Sequence, residues 1–127
     1  MNKRIILTAS VLGLIAVIFG AFGAHTLKAV IDPAAISLWN KGVEYQFYHT
    51  FALLYLSTFA RYKNNLINIS YFCFLFGVIL FSGSLYILAT RSLLTLDPGS
   101  IGFLTPVGGL LFILGWIMLF LAALKDK

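Results

Sequence analysis

Polar positions in this chain are gathered into a few short breaks, and between them lie four apolar stretches at about 5–27, 43–61, 66–90 and 101–124. At about 1.5 Å per helical residue, ~20 residues cross a ~30 Å hydrocarbon core, so each stretch has the length of a membrane span. The breaks carry helix signals. Asp32-Pro33 places a good N-cap before a proline suited to the first helical position. A short helix should therefore start at Pro33 and run through Ile36, Leu38 and Trp39 along the membrane surface, and Gly42 then permits a bend into the second span. Arg61-Tyr62-Lys63 with Asn64, Asn65 and Asn68 makes a polar turn, and Asp97-Pro98-Gly99 another. The pattern predicts an all-α membrane protein of one domain (1–127), a four-transmembrane-helix bundle with a short interfacial helix between helices 1 and 2.

Small residues recur inside the apolar stretches. Ala9, Gly13, Ala16, Gly20 and Gly23 are spaced alternately four and three apart, which lines them along one face of the first helix. Cys73, Gly77 and Ser84 share a face of the third, Ser82-Gly83-Ser84 marks a second zone of close contact, and Gly108, Gly115 and Ala122 follow at intervals of seven in the fourth. Lipid tails provide little hydrophobic drive between helices, so close backbone approach supplies the association. Gly13, Gly20, Gly77, Gly83, Gly108 and Gly115 are the expected packing glycines, either within the molecule or against a second copy or a larger membrane complex.

Composition agrees with the pattern. Hydrophobic residues make up 61% of the 127 and charged residues 10%, against roughly 25% charged in soluble domains. The net charge of +5 is not gathered into a patch for nucleic acid. It lies between the spans and orients them. With four spans, Lys3, Arg4, Arg61, Lys63, Lys125 and Lys127 fall on one side, and Lys28, Lys41 and Arg91 on the other. The positive-inside rule then puts both termini in the cytoplasm of a multi-pass protein in the cell (inner) membrane. Lys3-Arg4 and Ala21-Phe22-Gly23 imitate a signal peptide, but 20 apolar residues from 5 to 24 exceed the ~7–15 of a signal core, and the segment reads as a span. The single cysteine, Cys73, has no disulfide partner and no metal-ligand spacing around it.

The unusual polar groups fall on the outer half: His25 at the end of the first helix, Glu44, Tyr45 and His49 on the first turns of the second, and Arg91 after the third, with Trp39 above them. Ionisable side chains at such depth are costly and face the bundle interior or a water cavity. Two roles fit them. His25 and His49, with Glu44, could ligate a metal or haem; or Glu44 and His49 could titrate against Arg91 along a solute path. Each role has a structural counterpart: a capping His25, a His49 bonded to a carbonyl or tyrosine, and a Glu44–Arg91 ion pair. The structural counterparts are favoured, because no further motif supports ligation and no polar path continues into the inner half. No metal or cofactor is expected. GxSxG, HExxH, phosphate-loop and paired-carboxylate motifs are absent from the sequence.

Four blocks carry a family resemblance: Gly20-Ala21-Phe22-Gly23-Ala24-His25; Trp39 with Tyr45 and His49; Phe81-Ser82-Gly83-Ser84-Leu85-Tyr86; and Thr105-Pro106-Val107-Gly108-Gly109 through Gly115-Trp116. Over nearly the whole chain they resemble the YwdK/YgdD-like family of small bacterial inner-membrane proteins, which has animal relatives. The resemblance implies a four-helix membrane protein and transfers no catalytic residue. The leading expectation is a non-enzymatic interaction or accessory protein that packs through its Gly/Ala seams. Its alternative is a transport or ligand-binding protein with a polar site at His25, Glu44, His49 and Arg91, and a haem- or metal-binding protein ranks third.

Overall fold

The computed structural model describes residues 2–59, 65–95, 97 and 99–126. The described residues form six α-helices and one 3-10 turn: α1 (Lys3–His25), the turn Leu27–Ala29, α2 (Pro33–Phe59), α3 (Asn65–Ala89), the short α4 (Arg91–Leu94) and α5 (Gly99–Gly102), and α6 (Leu104–Lys125). The expected inner polar turn, with Arg61, Lys63 and Asn64, lies outside the described residues, as do Pro98 of the outer turn and Lys127.

Local chemistry sets the helix ends. The Asn2 side chain accepts from the Ile5 amide, and the Asp32 carboxylate accepts from the Ala35 amide at 2.8 Å, so α2 begins at Pro33 as the Asp-Pro pair predicts. α6 follows a break at Phe103. Pro106 has no amide hydrogen and its ring crowds the carbonyl four residues back, at Gly102, where α5 stops.

One expectation is corrected. The interfacial segment is not a separate helix, because α2 runs unbroken through Gly42 to Phe59. Gly42 serves contact rather than bending. A methyl group there would stand 2.8 Å from the Tyr86 ring, and the Gly42 carbonyl accepts from the Ser82 hydroxyl at 2.6 Å. Both contacts hold this turn of α2 against α3.

Three stretches, Lys3–Ala29, Asn65–Ala89 and Gly99–Lys125, are long and apolar enough to cross a membrane. α2 is long enough but carries Gln46, His49, Thr50 and Ser57 buried along its length. The helices pack as antiparallel neighbours in the order α1, α2, α3, α6, with the closest seam between α3 and α6. α1 and α6 are therefore the flanks, and the buried polar side chains (Gln46, His49, Thr50, Ser57, Ser70, Ser82, Ser84) all lie on the central pair.

Two modes of helix contact recur. Along α3 and α6 the backbones nearly touch: a methyl on Gly77 would meet Phe112 at 2.5 Å, one on Gly115 would meet Phe74 at 2.6 Å, and one on Gly108 would meet the Phe81 backbone, with its Cα at 2.8 Å. Along α1 and α2 the approach is looser at Gly13 (3.4 Å from Thr50) and Gly20 (3.5 Å from Val43), and it tightens at Gly23, where Trp39 lies 2.5 Å away. Gly83 differs from the other expected packing glycines in having nothing within 4 Å.

Candidate functional site

The six side chains singled out on the outer half separate into three places. Trp39 is buried among aromatic rings. Its indole N–H donates to the Phe19 carbonyl at 2.8 Å, and its ring lies 4.7 Å from Tyr86 and 5.2 Å from Phe19. Gly23 is what admits that ring. Tyr86 extends the cluster into a network, since its hydroxyl donates to Gln46 Oε1 at 2.6 Å and Gln46 Nε2 donates to the Leu12 carbonyl at 2.7 Å. One amide thereby joins α1, α2 and α3.

Tyr45 and His49 form the second place, where α2 faces both α3 and α6. Tyr45 stacks on Phe81, with centroids 4.8 Å apart, and His49 stacks on Phe112 at 3.6 Å and 8°. Trp116 Nε1 lies 3.1 Å from His49 Nε2, and His49 Nδ1 lies 2.8 Å from the Tyr45 carbonyl. An indole nitrogen only donates, so Nε2 must be the acceptor. The ring proton then sits on Nδ1 and is given to the carbonyl. Both nitrogens of a neutral His49 are engaged, and neither lone pair faces a ligand.

Glu44, His25 and Arg91 are peripheral. Glu44 is exposed and pairs with Lys41 at 3.3 Å, not with Arg91. Arg91 is exposed at the start of α4, beside a cavity of about 100 Å³ that Asp32, Leu38 and Leu88 also line. His25 is exposed at the last turn of α1. Because Gly23 lies against Trp39, His25 is level with residue 37 of the antiparallel α2, and twelve residues at about 1.5 Å each separate that level from His49, roughly 18 Å. The two imidazoles do not face one another. Among the described residues, no three His, Cys, Asp or Glu side chains gather as a metal site.

What does form is a cleft of about 510 Å³ between α2 and α6, with Tyr45, Tyr48 and His49 on one wall and Gly109, Phe112 and Trp116 on the other. α2 and α6 meet through side chains rather than a long backbone seam, which leaves the gap. Phe112 and Trp116 were not among the site residues expected from sequence, yet one signal was present. Interface tryptophans sit at span ends, whereas Trp116 lies mid-helix with an N–H that needs an acceptor.

A family model described as a protein of unknown function (DUF423) matches residues 19–109. The chain is similar to UPF0382 membrane proteins along almost its full length. A Staphylococcus aureus protein is 40% identical over 123 residues, covering 97% of each chain. A Haemophilus influenzae protein is 36% identical over 127 residues, covering 100% of this chain and 98% of that one. The Bacillus subtilis protein YwdK is 37% identical over 125 residues, covering 97% and 98%. No solved structure matches the chain. The resemblance read from the four sequence blocks is borne out.

Proposed function

The chain belongs to the DUF423 family of membrane proteins, and on that premise we propose that it is a four-span inner-membrane protein, both termini cytoplasmic, that acts without catalysis by docking laterally to a second copy or to a larger membrane complex. α2 is the fourth span. Its 27 residues extend about 40 Å, and the groups it turns outward along the core are Tyr48, Phe51, Leu54 and Tyr55. Its polar side chains turn inward and are bonded there, so they lower its hydropathy without exposing charge to lipid. The first turns of α2, up to Glu44, stand in the headgroup layer. Orientation rests on the excess of Lys and Arg on the terminal side.

The observation that carries the docking role is Gly83. Gly77, Gly108 and Gly115 are tightly filled from within the chain, and Gly13 and Gly20 are in ordinary contact. Gly83 is open between Ile79 and Ile87, which are 51% and 37% exposed on α3. An apolar face with a notch at backbone level suits a partner helix. Gly83→Leu should therefore abolish chemical cross-linking to a second copy, or release a co-purifying complex, while thermal unfolding stays unchanged. Complexes that persist in this variant refute the docking role.

The alternative, a ligand-binding site on the outer half, draws its support from the α2/α6 cleft, which Tyr45 and His49 line. The haem or metal role gains no support there, since both ring nitrogens of His49 are held by the protein.

A further inference from the structure

We propose that the α2/α6 cleft binds one molecule of a zwitterionic phospholipid, with its phosphoethanolamine headgroup at Lys41 and Glu44 and one acyl chain lying along His49, Phe112 and Trp116. The proposal rests on the ligand-binding alternative and is independent of docking at Gly83.

The cleft has the shape and lining for a chain. Its volume of about 510 Å³ falls in the roughly 300–1,000 Å³ range of small-ligand sites. It extends from Gly109 to Trp116, about 10 Å along the axis. Its walls are aromatic and its floor is the stacked His49–Phe112 pair. The imidazole presents no free donor or acceptor, which makes this floor apolar in effect. Tyr48, Ile113 and Trp116 are 51%, 58% and 47% exposed, so the cleft opens sideways to the lipid, the route by which an acyl chain enters.

Outside its lining, next to Tyr45 on its upper wall, stands one charge of each sign. Lys41 Nζ sits 5.9 Å above the Tyr45 ring, at the upper wall, and 3.3 Å from Glu44. Tyr48 follows Glu44 by four residues and so shares its helix face. A phosphoethanolamine group places its phosphate on the ammonium and its own ammonium, with three N–H donors, on the carboxylate. A phosphoglycerol group satisfies Lys41 but offers Glu44 only neutral hydroxyls and no cation. A phosphocholine group has no N–H to give. In the headgroup layer, where residues 41–44 stand, such charge-assisted bonds are stronger than neutral ones.

The test is native mass spectrometry of the purified protein titrated with phosphatidylethanolamine, phosphatidylglycerol or phosphatidylcholine of one acyl composition. One phosphatidylethanolamine should be retained at least about tenfold more tightly than either other lipid. Lys41→Ala and Glu44→Gln should each weaken it about tenfold, the scale of one lost bond to a charged group. Both residues are exposed, so neither change threatens the fold. Gly109→Leu should abolish retention, because a Cβ there meets Phe81 only at 3.8 Å and the side chain fills the cleft; its unfolding temperature checks that the fold survives. Retention that ignores the headgroup yet is lost in Gly109→Leu overturns the lipid assignment and leaves the cleft as a ligand site. Retention unchanged by Gly109→Leu overturns both. Preference for phosphatidylglycerol or phosphatidylcholine, or indifference to Lys41→Ala and Glu44→Gln, also overturns the assignment.

Discussion

The α3–α6 seam and the contacts of α2 solve the same problem with a different balance of means. Along α3–α6, side chains are mostly omitted so that backbones meet: Gly77, Gly108 and Gly115 each face a phenylalanine or its backbone, and only the small Ser70 and Ser84 add bonds, to the Gly115 carbonyl and to Thr105. α2 instead keeps polar side chains and uses them as bonds, through Trp39 to Phe19, Gln46 to Leu12 and Tyr86, and His49 to Trp116. Ser82 reaches back from α3 to Gly42. In lipid both routes are available, since neither relies on excluding water. The difference lies in tolerance. A seam of omitted side chains fails by steric overlap, whereas a bonded seam loses one modest increment at a time.

The sharpest break of this contrast is Gly108→Leu. The new side chain meets the Phe81 backbone, which cannot move as a ring can. We expect a loss of about 3 kcal/mol or more, read as failure of the protein to accumulate in membranes. Survival with a near-normal unfolding temperature would mean that the seam is looser than described. Gln46→Leu comes next, at about 1–2 kcal/mol, because the Tyr86 hydroxyl is left buried without its acceptor. Adding Tyr86→Phe should recover part of that loss, and a double-mutant cycle measures the coupling. Smaller still is Trp116→Phe, which removes the donor to His49 but keeps an aromatic ring. About 0.6 kcal/mol is the scale for such bonds in membranes, and steric-trap or denaturant unfolding in bilayer-like discs resolves it. Gly83→Leu stands at the end of the series, within about 0.5 kcal/mol of the parent, since nothing lies within 4 Å.

The two modes were not equally legible in the sequence. Glycine and alanine stripes announce close packing, because small residues in an apolar run have few other uses, and the Asp32-Pro33 start of α2 was readable in the same way. The polar load of α2 was visible too, but its meaning was not. Gln46 and Trp39 bond to the carbonyls of Leu12 and Phe19, and a backbone carbonyl gives no residue-type signal. His25 and His49 read as near neighbours because both lie toward the same end of the first two apolar stretches. Only the antiparallel register, fixed by Gly23 on Trp39, separates their levels. Gly83 reads like the other glycines, and what distinguishes it is the absence of a facing helix.

Two side-chain pairs on α1 do something the glycine stripe cannot. Ala9, Gly13, Ala16, Gly20 and Gly23 repeat every three or four residues, so a stripe alone would match its partner again after α1 slid by a single turn, about 5.4 Å. Backbone carbonyls recur at every turn too, so the acceptors of Trp39 and Gln46 leave that slide open. The Thr8 and Tyr71 hydroxyls, 2.7 Å apart, and the Arg4 guanidinium, which donates to Asn68 Oδ1 at 2.7 Å, meet side chain to side chain. A one-turn slip parts both pairs at once. The stripe is a smooth rail, and these two pairs are the pins that give it a single stop.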